Sequence, residues 1–189
     1  LLLLLVVTLN GFSQVIDFSE YDNFLKKHTS SKGVVDYDKV LKDIKELNNI
    51  AHNFSKISPN KSWTVAEIKT YWINVYNANI IKLLVENYPI KSINYIRDPF
   101  KMQFIDFDGE KISLDHIEHE ILRPMNDPRV HFALYSTAIS SPELRNTAYS
   151  ANSIDYDLDV ATSNFINDTT KNTIGVATCQ LSKIFEWYF

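Results

Sequence analysis

Thr64 and Glu67 are spaced as a capping box, and the apolar stretch they open runs to about Asn87, with Pro89 beyond it. Such a box satisfies two of the N–H groups a helix start leaves without partners, so the spacing predicts a long helix here. Ile68, Trp72, Val75, Ile80, Leu83 and Leu84 recur at helical spacing and predict its core face. Asn74 and Asn77 lie one turn apart within that stretch, beside Trp72 and Tyr76 at i,i+4. A buried amide without partners costs about 1 to 3 kcal/mol, so each asparagine either holds a neighbouring loop or lines a site.

Around this helix the chain reads as short elements. Ser19 is suited to cap a helix with Tyr21, Phe24 and Leu25 inward. Asp36 is suited to cap a longer one carrying Val40, Leu41, Ile44, Leu47, Ile50, Ala51 and Phe54 inward. His28 and His52 fall near the polar ends of these helices and are read as surface residues. Met102–Phe107 and Lys111–Ile112 flank Asp108-Gly109, a pair whose tolerance of positive φ predicts a tight hairpin. Ser113 caps a helix with Ile117, Ile121 and Leu122 inward, which Pro124 stops. Val130, Phe132 and Leu134 alternate with His131, Ala133 and Tyr135, predicting a strand over 129–136. Asn152 or Ser153 opens a helix with Leu158, Ala161, Phe165 and Ile166 inward, and 173–178 predicts a last strand. The fold class is α+β, helices packed against a small antiparallel sheet in a single domain.

The chain opens LLLLLVVTLN, an uncharged run followed by Gly11-Phe12-Ser13. It is shorter than the roughly 20 residues of a membrane helix and reads as part of a secretory signal, residues 1–13, with a globular domain over 14–189. The expected location is periplasmic, secreted or cell surface, with no transmembrane span in the mature chain. The apolar helical pattern from Lys183 to Phe189 carries no stop signal, so the domain is expected to continue past Phe189. Cys179 is the single cysteine, which excludes an intrachain disulfide. Four glycines, at 11, 33, 109 and 175, cannot build a dinucleotide fingerprint or a phosphate loop. With a net charge of −4 and no Lys/Arg cluster, a nucleic-acid partner is not expected. No cofactor is expected either.

Several motifs resemble those of the family of domains of unknown function numbered 547. They are Trp72-Ile73-Asn74-Val75-Tyr76-Asn77-Ala78, Ser113 through Arg123, Asp127 through Leu134, Ser141-Pro142 and Ile184 through Tyr188. The resemblance spans nearly the whole of 14–189 and implies a fold rather than a reaction. The family pattern carries cysteine where Ser136 and Ser141 stand and an acidic residue where His116 stands. Loss of both cysteines together suits a lost disulfide at least as well as a lost nucleophile.

The stretch from Ser113 to Pro142 concentrates three of the five histidines with Glu118, Arg123 and Arg129, and it supports three readings. In the first, a hydrolase or acyl transferase with a papain-like or transglutaminase-like arrangement uses Ser141 at the nucleophile position and His119 as base. Asn77 or Glu118 would orient the base, and serine in place of cysteine leaves the site degenerate. Glu118 is a poor orienter of His119, since helical neighbours point about 100° apart. In the second, His116, His119 or Glu120, and His131 ligate a divalent metal, although His-Ile-Glu-His lacks metalloprotease spacing; no metal site is assigned. In the third, the domain is a binding or structural module. His119 and Arg123 then pair with Asp127 or Glu118, His131 is a satisfied half-buried histidine, and Arg129 anchors a loop through its fork. The third reading leads, with Asn74, Arg123, Arg129 and His131 as substrate-binding candidates and a small molecule, peptide or glycan as ligand.

Overall fold

A computed structural model describes residues 16–138 and 140–187; the segment 1–13, expected to be part of a secretory signal, lies outside the described residues. Its helices are α1 (Ser19–His28), α2 (Tyr37–Lys42), α3 (Ile44–Ser55), α4 (Val65–Glu86), α5 (Ile154–Asn167) and α6 (Ile184–Trp187). Two antiparallel hairpins complete the fold, β1 (Ile105–Phe107) with β2 (Glu110–Ile112) and β3 (Thr173–Ile174) with β4 (Cys179–Gln180). The architecture is α+β, mostly helical, in a single domain. Among the described residues its sheet is divided into these two hairpins rather than joined. No helix among them is long and apolar enough to cross a membrane.

α4 forms where the capping box placed it. Thr64 Oγ1 accepts the Glu67 N–H and the Glu67 carboxylate accepts the Thr64 N–H. The helix does not present one core face, however. It is buried on nearly every side from Glu67 to Val85, so α3, a π-helical segment at His116–Leu122 and α5 all pack on it, and it is the axis of the molecule.

α1 buries Tyr21, Phe24 and Leu25 as predicted, but its cap is Phe18, with Asp17 Oδ1 accepting the Ser19 N–H. His28 corrects the sequence reading: it is buried, because it continues the 21, 24, 25 stripe by one further turn. Asp36 does cap the next helix, accepting from Lys39 N, yet that helix breaks at Asp43 into α2 and α3. Leu41, expected inward, is exposed as a result of this arrangement.

Asp108 and Gly109 both take positive φ, 51° and 83°, and pair Phe107 with Glu110 in the predicted hairpin. The strand predicted over 129–136 is absent. Pro128–Phe132 instead winds as a 3₁₀ turn, with Asp127 accepting the Arg129 N–H and Pro128 at its start. Cap and proline chemistry here outweighs an alternation that the burial does not follow, since Val130, His131, Ala133 and Leu134 are all buried.

Candidate functional site

Ser113 caps the segment that follows, its hydroxyl accepting the His116 N–H at 3.0 Å. The segment is a π-helix, His116–Leu122, closed at its end by the Arg123 N–H bonding Glu118 O. The wider turn buries Glu118 along with Ile117 and Leu122, while Ile121 is only partly buried. Buried Glu118 meets buried His131 from the 3₁₀ turn, Oε1 to Nδ1 at 3.1 Å. The carboxylate–imidazole couple that acid–base chemistry asks for is therefore present, but with His131 rather than with His119.

His119 sits half-exposed on the same segment and pairs with Asp115, Nε2 to Oδ1 at 3.5 Å, rather than with Asp127 or Glu118. His116, Glu120 and Arg123 are exposed. Among the described residues, these positions and His131 do not converge as a set of three metal-ligand groups. Ser141 is buried in a turn, where its hydroxyl donates to Ala138 O at 2.8 Å, and Ser136 is half-buried.

Asn74 and Asn77 of α4 bind main chain outside the helix. Asn74 Nδ2 donates to Tyr149 O at 3.0 Å while its Oδ1 accepts the Tyr149 N–H at 3.0 Å. Asn77 Nδ2 donates to Ala133 O at 2.9 Å and its Oδ1 accepts the Tyr135 N–H at 2.9 Å. Each side-chain amide thus pairs with a loop as a neighbouring strand would.

Arg129 is equally engaged. Nε and Nη2 grip the two oxygens of Asp127 at 2.8 and 2.9 Å. Nη2 also reaches Asp155 Oδ1, and Nη1 reaches Asp159 Oδ1 and Asp155 O, so acceptors from α5 take up the rest of the fork. Asp127 in turn pairs with the buried Lys69 of α4. The Arg129 fork, with Lys69 adding to it against the opposing effect of burial, holds the Asp127 carboxyl well below the usual range. The Arg129 guanidinium is raised in turn, chiefly by Asp127.

A cleft of about 440 Å³ opens between the loop at 31–33, the segment from Pro142 to Tyr149, and α5. Arg145 lies over the Tyr149 ring at 5.1 Å and brings Nη1 to 2.7 Å from Asp157 Oδ2, a charge contact outside hydrogen-bond geometry. Burial pushes the Tyr149 phenol up to about 12. On the far wall Lys171 Nζ pairs with Glu143 at 2.9 Å and with Asp168 at 3.5 Å. Burial works against its ammonium form, but these two carboxylates outweigh it and the Lys171 pKa is raised. Tyr156 lines the cleft with its side chain largely in solvent. None of Asn77, Glu118, His119 or Ser141 lines this cleft. Sequence reasoning passed over Arg145, Tyr149 and Asp157, because no local spacing unites residues that a loop and a helix bring together.

Residues 60–166, more than half of the chain, match the family model described as "Protein of unknown function, DUF547". The chain belongs to the DUF547 family. No curated protein and no solved structure matches it. The DUF547 match contains α4, the Glu118–His131 couple, the Arg129 fork, Ser141 and most of α5. The two asparagine clamps therefore lie wholly inside the DUF547 region.

Proposed function

We propose that this DUF547 domain is an exported binding or structural module whose ligand, a polar small molecule, short peptide or glycan, enters the cleft beside α5. The observation that supports this reading is that the polar groups singled out in the sequence are held by the protein itself, while a cleft of ligand size opens elsewhere. The amides of Asn74 and Asn77, the fork of Arg129 and the hydroxyl of Ser141 are all engaged within the protein. The cleft is lined by aromatic, charged and amide side chains, in a volume within the roughly 300 to 1,000 Å³ of small-ligand pockets. Export rests on the uncharged run that opens the sequence.

Amide chemical-shift mapping with cellobiose, chitobiose and an acidic tripeptide as probes tests the reading. Shifts clustered on Arg145, Tyr149, Tyr156, Asn164 and Lys171, and lost in Tyr156→Ala, are expected for at least one probe. Shifts clustered instead on His119, His131 and Ser141 would count against the cleft. Absence of any shift would leave only the structural form of the module.

The buried Glu118–His131 couple favours a second reading, a hydrolase or acyl transferase whose base is His131 oriented by Glu118. With Ser141→Cys and Cys179→Ser in place, the thiol's alkylation rate against pH tests it. A free thiol has a pKa near 8.5, and one activated by histidinium falls to about 3.5 to 7.5. Ser141 is buried with its hydroxyl turned to Ala138 O, so slow alkylation, indifferent to His131→Ala and His119→Ala, is expected. Fast alkylation near pH 6 that slows in either histidine variant would put the catalytic reading first.

A further inference from the structure

The last turn of α1 places a histidine where its neighbours are core residues. The His28 side chain is 0% exposed, its ring lies 4.5 Å from that of Phe24, and neither ring nitrogen makes a hydrogen bond among the described residues. Asp43, at the break between α2 and α3, brings Oδ2 to 3.3 Å from His28 Nε2, off the line of a hydrogen bond. Glu46, three residues into α3, adds a second carboxylate. One ligand atom from each of the three residues lies within 4.8 Å of the others. Between the carboxylates sits a cation: Lys27 Nζ is 2.9 Å from Asp43 Oδ2 and 3.0 Å from Glu46 Oε2.

We propose that His28, Asp43 and Glu46 form a binding site for a first-row divalent transition-metal ion, zinc being the best suited, with the Lys27 ammonium as its built-in competitor. An imidazole nitrogen beside two carboxylates selects zinc and its neighbours over calcium or magnesium, which take oxygen ligands. Zinc holds such ligands at about 2.0 to 2.2 Å, so the two carboxylates must draw inward as Lys27 leaves. The side chains allow this: Lys27 is 49% exposed, Asp43 34% and Glu46 41%, while His28 is fixed by packing. The bound ion would fasten α1 to the α2–α3 break. These residues lie outside 60–166 and none of them lines the cleft, so the site belongs to this chain's own N-terminal helices.

The test uses the full chain stripped of metal. Cobalt(II) is titrated by its visible d–d absorption, then displaced by zinc chloride, with thermal unfolding followed in parallel. One ion per chain and a raised Tm are expected. Because loss of even an outer-shell partner costs about 10- to 100-fold in metal affinity, Asp43→Asn and Glu46→Gln should each weaken binding by at least about tenfold. Lys27→Met should tighten it. Both carboxylate variants change partly exposed side chains, so they report on binding without emptying the core as loss of His28 would. Failure of the wild-type chain to take up cobalt or zinc stoichiometrically would overturn the proposal. Uptake that Asp43→Asn and Glu46→Gln leave unchanged would overturn it equally.

Discussion

Asn74 and Asn77 show how a polar residue survives in the most buried helix of a protein. Each presents a donor and an acceptor in the plane of one amide: Asn74 meets the C=O and N–H of Tyr149, and Asn77 the C=O of Ala133 and the N–H of Tyr135. Truncating Asn77 would leave Ala133 C=O and Tyr135 N–H without partners beside α4, at about 1 to 3 kcal/mol for each buried group. Asn77→Ala is therefore expected to lower stability by about 3 kcal/mol, read as a shift in the urea midpoint at unchanged slope. A loss below about 0.5 kcal/mol, the scale of an ordinary surface substitution, would show that the clamp is replaceable by solvent.

Among the elements, those with end signals were legible in the sequence. The α4 capping box, the Asp36 cap and the Asp108-Gly109 turn each act within four residues, so their residues alone announce them. The Ser113 cap announces a helix but not its π winding over 116–122, and Asp127-Pro128 competes with a strand-like alternation at 128–132, so the Glu118–His131 couple, which depends on both turns, was not legible. His28 was legible in principle, one helical turn beyond Phe24 and Leu25, had the stripe been given more weight than the helix end. Gly33 illustrates a constraint that appears only in three dimensions. It takes φ 76°, and a Cβ there would lie 2.6 Å from Glu143 Cβ and 2.9 Å from Leu144 O, at the rim of the cleft. A left-handed conformation costs an L-residue about 1 to 2 kcal/mol, and the close approach adds to it. Gly33→Ala should thus destabilise by about 2 kcal/mol or more and shift the amide signals of Glu143 and Leu144. Stability equal to wild type would mean that the loop can turn without that conformation.

Across the whole molecule, α4, the 3₁₀ turn and α5 are fastened at one place. Lys69 comes from α4, Asp127 and Arg129 from the turn and its cap, and Asp155 and Asp159 from α5. The Asp127 side chain is 11% exposed and the Lys69 side chain 8%, so removing one partner leaves a buried charge uncompensated. Such losses run to about 3 to 5 kcal/mol, whereas the rim pairs with Asp155 and Asp159, largely in solvent, contribute little. The sign of the pH dependence follows from Asp127. Its folded pKa is depressed, chiefly by the Arg129 fork, so below neutral pH the unfolded chain takes up its proton first. The stabilisation is then complete above the ordinary carboxylate range and is lost progressively from roughly pH 5 downward as protonation reaches the folded form. Asp127→Asn is expected to lower stability by about 3 kcal/mol at pH 7 and to flatten the acid limb of the curve. Urea unfolding at pH 7, 5, 4 and 3 checks both expectations, since the gap between wild type and variant should narrow as the pH falls. A gap constant with pH would mean that the Asp127 charge does not hold the three elements together, and that the Asn loss comes from packing alone.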